Sequence, residues 1–272
     1  MVVSPAGFYH LLYENTAFEQ TASAFAAGKS VSIDGVIGSA GALTIAALTS
    51  VTGQKPILVI VAGNVQAENA AEDIAMFADW SERTVSVFPA LDKDIDESVD
   101  DTPFAFSDEN FGGRINVLKL LNGKHTPQSH KQHIIVTTMP ALLQEVPPQA
   151  LLTEKTQRFS AGQRIDLENL RHYLVDNGYH SMSAADCPGE FAIRGYILDI
   201  FAPDWHQPVR IELFDDEIES VRRFDSVTQR SLENINEIDL TSILPSEATG
   251  ASLLDYFPND SPIILVEERQ FS

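Results

Sequence analysis

Residues 35–46, GVIGSAGALTIA, set three glycines and a serine ahead of an alanine-rich stretch. A glycine-rich turn between a strand and a helix is the arrangement that wraps nucleotide phosphates in backbone N–H groups. The chemistry also needs a lysine on the β- and γ-phosphates and a Ser or Thr hydroxyl on Mg²⁺. Gly41 stands at the lysine position and Ala42 at the hydroxyl position. Gly35, Gly38, Ser39, Gly41 and Ala42 therefore read as a degenerate phosphate loop. Neither tight ATP binding nor hydrolysis is expected, no residue is assigned as catalytic, and no cofactor is implied. Glu267 and Glu268 follow a run read as a buried strand, IILV, where the acid pair serving such a loop would lie. With no lysine to serve, they read as a solvated strand end.

The second stretch with chemical potential runs from Cys187 to Arg230, through FAIRGYILDIF, VRIELF and EIESVRRF. Successive side chains of a strand point to opposite faces. Arg210, Glu212 and Phe214 thus share one face, while Val209, Ile211 and Leu213 take the other and are expected to pack on a neighbouring helix. An arginine and a phenylalanine turned away from the core form an anchor pair of the kind that dominates protein interfaces. Two plainer readings stand beside it. Phe214 could fill a second small core or a domain seam, and Arg194 and Arg210 could bridge to Glu190 or Glu212.

Charge bears on the choice of partner. The chain has 272 residues and a net charge of -21, from 39 acidic and 18 basic residues. Such a chain repels nucleic acid as a whole. Residues 155–230 hold nine of the basic and 13 of the acidic residues, and every basic residue from Arg158 to Arg230 is arginine. Arginine forms planar two-point contacts with carboxylates and is enriched at interfaces, although a solubilising role is equally compatible with composition. The single cysteine, Cys187, precludes an internal disulfide, fits a reducing cytoplasm, and reads as structural. His125, His130 and His133 match no standard metal spacing, so no metal is assigned. Ser39 lacks the G-x-S-x-G elbow of a nucleophile. No apolar run approaches the ~20 residues that span a bilayer. The start, MVVSPAGFYHLLYENT, lacks the pattern of a signal peptide.

The elements that must position these residues alternate at first. Helical spacing over 9–28 gives way to a strand at VSIDGV, a helix after the glycine turn, and a buried strand at PILVIVAG (56–63). Asn64 is placed to cap the next helix, which runs to about Trp80. TVSVFPA and HIIVTT are strands, GRINVLKLLNG is a helix, and Met139–Val146 starts another. Residues 91–110 read as an acidic surface loop. After Pro148 the pattern becomes one helix, about Leu167–Asn177, followed by hairpins. IDLTSIL (238–244) reads as a strand returning to the first domain, LLDYFP as a helix, and PIILVEE as a further strand. Alternation of this kind implies a parallel sheet wrapped by helices, here with an α+β insertion.

The motifs PGEFA-RG-ILDIF, PVRIE-F-DEIES-RRFD and TQRS resemble the small UvrA-contacting domain shared by UvrB and the transcription-repair coupling factors (Mfd). The resemblance extends over nearly the whole chain, densely at 155–245 and loosely at 1–150. It implies a degenerate RecA-like, P-loop NTPase-type α/β domain (1–153), an inserted α+β UvrA-interaction domain (154–232), and a return strand with a partial domain 1b-like segment (233–272). It also implies UvrA contact through Arg194, Arg210 and Phe214. The turn at 35–46 is similar to the UvrB loop GVTGSGKTFTIA, and loss of its lysine is a trait of the coupling-factor module. The acidic segment FPALDKDIDESVDDTPFAFSDENFGGRINVLKLL lacks the tyrosine-rich hairpin with which UvrB separates strands. The chain from Leu244 to Leu253 is short beside the helical segment usual there. The implied role is a cytoplasmic, non-catalytic adaptor that recruits excision repair to stalled RNA polymerase. Polymerase and DNA are engaged only through absent parts of a parent ATP-driven translocase, and no membrane is involved. A UvrB-like DNA-dependent ATPase and an autoinhibitory clamp on the translocase remain the alternatives.

Overall fold

The computed structural model describes residues 12–36, 38–53, 55–78, 83–91, 109–123 and 133–267. Along the chain the elements are α1 (Thr16–Ala26), α2 (Ser39–Ser50), β1 (Ile57–Val61), α3 (Asn64–Ala78), β2 (Thr84–Phe88), α4 (Glu109–Asn122), β3 (His133–Thr138) and α5 (Met139–Leu143). There follow α6 (Gln149–Glu154), β4 (Thr156–Ser160), α7 (Leu167–Asp176), β5 (His180–Ser181), β6 (Glu190–Arg194) and β7 (Ile197–Phe201). The last strands are β8 (Val209–Phe214), β9 (Glu217–Phe224), β10 (Ser231–Ile235), β11 (Glu237–Thr241) and β12 (Ile263–Leu265). The fold is mixed α/β and forms two compact units. One gathers Met1–Ala90, Leu120–Gln144 and Leu253–Ser272, the other Leu91–Lys119 and Glu145–Ser252. Among the described residues no helix is long and apolar enough to cross a membrane.

The first unit is built on a parallel sheet of order β12-β1-β3-β2. Strands β1 and β3 are buried along their whole length, as central parallel strands covered on both faces must be. Helix α3 lays Ala67, Ala71, Ile74 and Ala78 into this core at helical spacing. Three expectations are corrected here. Residues 31–34 form no strand, because Val31 and Ile33 are too few apolar groups to fill a sheet centre and Ile33 stays exposed. Asn64 does not cap α3. It is the first helical residue, and its amide clasps the backbone of Ala90 instead, accepting from N at 3.0 Å and donating to O at 3.1 Å. Strand β12 is an exposed edge rather than a buried strand, with Ile263 and Leu265 in solvent. Residues 92–108, most of the expected acidic loop, lie outside the described residues, as do His125, His130 and Glu268.

The second unit carries a six-stranded sheet, β10-β9-β8-β7-β6-β5, antiparallel except for β5 beside β6. Val209, Ile211, Leu213, Leu198 and Ile200 are buried in it. Helix α7 starts on Asp166, whose carboxylate accepts from the N–H groups of Glu168 and Asn169, and closes at Gly178 with φ 82°. Residues 238–241 pair with β4 rather than with the parallel sheet, as part of β11. The pairing buries Phe159 and Leu240 and is joined by side-chain contacts. Asp239 sits opposite Arg158, whose Nε and Nη2 grip its carboxylate at 2.8 and 2.9 Å. The Asp239 carbonyl also accepts from Lys119 Nζ at 3.0 Å and from Trp205 Nε1 at 3.2 Å. Lys119 in turn forms a buried ion pair with Asp204 at 2.6 Å, which fixes α4 against the segment after β7.

Two predictions follow from this packing. A Cβ on Gly112 would lie 1.9 Å from the Pro203 carbonyl oxygen, and backbone cannot rotate out of the way. Gly112→Ala should therefore destabilise the second unit by about 2 kcal/mol or more, read by denaturant unfolding. In the first unit, burial pushes the His133 imidazole below its ordinary value, while its Nδ1 lies 2.6 Å from Thr84 Oγ1. The folded state then binds a proton less readily than the unfolded chain. The associated stability is present above pH ~6.5 and lost as pH falls below it. The thermal midpoint should drop on acidification through this range, and His133→Gln should drop less.

Candidate functional site

Strand β7, ILDIF, carries one charged residue in an apolar run. Its register places Asp199 directly opposite Arg210 of β8 and Ala192 of β6. Arg194, two residues beyond Ala192, falls on the same face. The carboxylate is fully buried. Arg210 donates from Nε to Oδ1 at 2.6 Å and from Nη2 to Oδ2 at 2.8 Å, while Arg194 Nη2 donates to Oδ2 at 2.5 Å. Two guanidiniums thus converge on one acid through charge-assisted bonds and leave one positive charge in excess. The hydrogen bonds that Arg210 donates to Asp199 raise its pKa above the ordinary value.

Arg210 is held on two further sides. Its guanidinium stacks 4.6 Å above the ring of Phe224, a buried residue. Its Nη2 also donates to Gln229 Oε1 at 3.3 Å. The Gln229 amide reaches on to Asp186 Oδ1 at 3.3 Å and the Ser226 carbonyl at 2.8 Å. Gln229 adopts φ 59°, and Asp225 fastens the turn that permits this, accepting from the Thr228 N–H at 2.6 Å and its hydroxyl at 2.8 Å. Those bonds hold the Asp225 carboxyl below its usual value.

The sequence-derived site residues meet different fates. Arg194, Arg210 and Phe214 lie on the strands β6 and β8 of one sheet. Phe214 is 77% exposed, so it fills no second small core. It ends β8 just before Asp215, whose φ of 60° makes the hairpin turn, and a bulge on β9 lies opposite Glu212 and Leu213. The Arg194 side chain is 51% exposed and the Arg210 side chain 16%. Both arginines do bridge within the chain, but to Asp199 and not to Glu190 or Glu212. Glu190 accepts from the backbone N–H groups of Asp186 and Cys187, and Glu212 pairs with Arg222 and Ser220. Tyr196, exposed at the β6–β7 turn, joins this end of the sheet because its carbonyl accepts from the Leu213 N–H at 2.9 Å. Sequence reasoning missed Asp199, Phe224 and Gln229. A lone acid inside ILDIF, and a glutamine just before Arg230, were the available signals.

The glycine turn is a separate feature in the first unit. Gly35 and Gly38 take φ of 80° and 59°, and α2 begins at Ser39 with no side-chain cap. A Cβ on Gly41 would meet nothing within 4 Å. Ala42 is buried in the apolar core. The position a metal-binding hydroxyl would need is thus a core methyl.

Comparison with known proteins places this geometry. Residues 158–246 match the family model of the UvrB interaction domain, the segment that contains the arginine pair and Phe214. Over 206 residues, 76% of its length, the chain is 31% identical to the transcription-repair-coupling factor of Bacillus subtilis (strain 168), and spans 16% of that protein. The corresponding factor of Staphylococcus haemolyticus (strain JCSC1435) is 33% identical over 199 residues, covering 73% of this chain and 16% of that protein. That of Myxococcus xanthus is 36% identical over 116 residues, covering 43% of this chain and 10% of that protein. The chain is thus similar over much of its length to transcription-repair-coupling factors, of which it spans about a sixth or less.

Exposure separates the two phenylalanines of the site. Phe224→Ala should cost about 3–5 kcal/mol of stability because it empties a buried space beneath Arg210. Phe214→Ala should change stability by less than about 0.5 kcal/mol. Parallel denaturant titrations of the two variants check both.

Proposed function

We propose that this chain is a non-catalytic docking module that binds UvrA through Arg194, Arg210 and Phe214. In the longer relatives it would thereby recruit excision repair to a stalled RNA polymerase, with polymerase and DNA contacts made by the rest of the protein. One observation carries the reading: within the segment matched to a UvrB interaction domain, an arginine pair fixed on a buried acid stands on one sheet with the exposed Phe214. Pre-fixed arginine and an exposed aromatic are the residue types that supply binding hot spots. The excess positive charge of the triad suits an acidic side chain on the partner.

An ATPase reading is disfavoured by chemistry. Phosphoryl transfer relies on positioned cations, and Gly41 and Ala42 supply neither the lysine nor the metal ligand. An intramolecular clamp on the remainder of the longer protein would use the same face, and competition between UvrA and that remainder separates the two.

Calorimetric titration of the chain with UvrA tests the proposal. Arg194→Ala and Arg210→Ala should each weaken binding by ~2 kcal/mol or more while far-ultraviolet dichroism stays unchanged. Unaltered affinity in both variants would overturn the assignment, and ATP turnover by a clean preparation would revive the enzymatic reading.

A further inference from the structure

We infer that Asp199 is the positioning residue of this face: its buried carboxylate sets the planes of the Arg194 and Arg210 guanidiniums in the orientation in which they meet a partner. The inference rests on the docking role proposed above only for its last clause. The orientation itself stands on geometry.

Asp199 cannot touch a partner, since its side chain is 1% exposed. Both of its oxygens are occupied by the two arginines, and it takes three of their N–H groups. Burying a carboxylate is costly unless it is paired, and a buried ion pair is seldom needed for stability alone when an apolar pair would pack as well. The site it occupies, with Ile197 and Leu198 before it and Ile200 and Phe201 after it, would suit an apolar residue. What the acid uniquely supplies is direction.

Each arginine keeps donors free of the acid. Arg210 binds through Nε and Nη2, and among the described residues its Nη1 has no partner. Arg194 binds through Nη2 alone. The fork geometry of a guanidinium makes the remaining edge point wherever the bound edge does not. Two long, rotamer-rich side chains are thereby ordered during folding and not at the moment of association, which is preorganisation of a binding face. Gln229 and the Phe224 ring restrain only Arg210, so Arg194 depends on Asp199 for its placement.

The test combines side-chain NMR with titration. In the wild-type chain, the Nε–Hε group of Arg210 and the guanidinium of Arg194 should be motionally restricted and slow to exchange, in contrast to Arg164, whose side chain is 74% exposed. Arg194 and Arg210 as mobile as Arg164 would overturn the inference with no variant needed, which covers the case of a variant that fails to fold. In Asp199→Asn the Arg194 signal should become mobile, with Arg210, still restrained by Gln229 and Phe224, loosening less, and UvrA affinity should fall by ~10-fold or more, chiefly through faster dissociation. Adding Asp199→Asn to the Arg194→Ala/Arg210→Ala double variant should cause no further loss, because the acid acts only through the arginines. A full further loss there, or an Asn variant that binds like wild type, would show a structural role alone. A wild-type chain that does not bind UvrA would overturn the docking proposal, and the arginine signals would still decide the role of Asp199.

Discussion

The buried carboxylate of Asp199 is the constraint around which the second unit is arranged. An ionised acid removed from water must be met by cations and by hydrogen bonds on both oxygens. Three strands are needed to satisfy it: β7 carries the acid, β8 brings Arg210 directly opposite, and β6 brings Arg194 to the same face. Register is therefore as important as composition. A slip of one residue in either hairpin would turn the arginines to the face that buries Val209, Ile211 and Leu198, leaving charge in the core and Asp199 unpaired. The tight turn at Gly195, at positive φ, sets the register of β6 on β7.

The same logic explains which parts were legible in the sequence. Continuous apolar runs such as ILVIV and HIIVTT announce central parallel strands, and the strict alternation of VRIELF announces a sheet with one wet face. Strand pairing was not legible. Asp239 recruits β11 to β4 through Arg158 across more than 70 residues of sequence, and no local pattern in IDLTSIL records that partner. Likewise the arginines of the site were visible as types, and their bridging to an acid was foreseeable. Which acid they chose depends on cross-strand register, so the nearer glutamates Glu190 and Glu212 were the wrong candidates. The misread of residues 31–34 has a different origin. The phosphate-loop pattern suggested a preceding strand, but two apolar residues do not bury enough surface to hold one in a sheet.

The glycine turn lacks the lysine and the hydroxyl on which phosphate-loop chemistry relies. Gly35 and Gly38 take conformations that side chains avoid. The groups that would do the work are replaced by hydrogen and methyl. Ala42 now belongs to the apolar core with Ile45 and Val59. A hydroxyl at that site would have to be satisfied within the core, whereas the methyl packs there at no such cost. The described core of the first unit is thus explained by packing, and the residues proposed to meet a partner lie in the second.

Charge fits this division. The chain as a whole is strongly acidic, yet the face proposed for docking has an excess guanidinium charge next to buried acid. At physiological ionic strength the Debye length is ~8 Å, so repulsion from distant carboxylates on the rest of the chain is largely screened. In the proposed role the arginine pair would act at contact distance, where screening is weak and geometry decides. Selectivity on the proposed face would come from direction: a partner would have to place its complementary group where the unbound edges of Arg194 and Arg210 point, with an apolar contact for Phe214. A nucleic acid backbone, which offers charge but no such apolar contact, would fit the proposed face poorly. A protein surface supplies both kinds of contact at once.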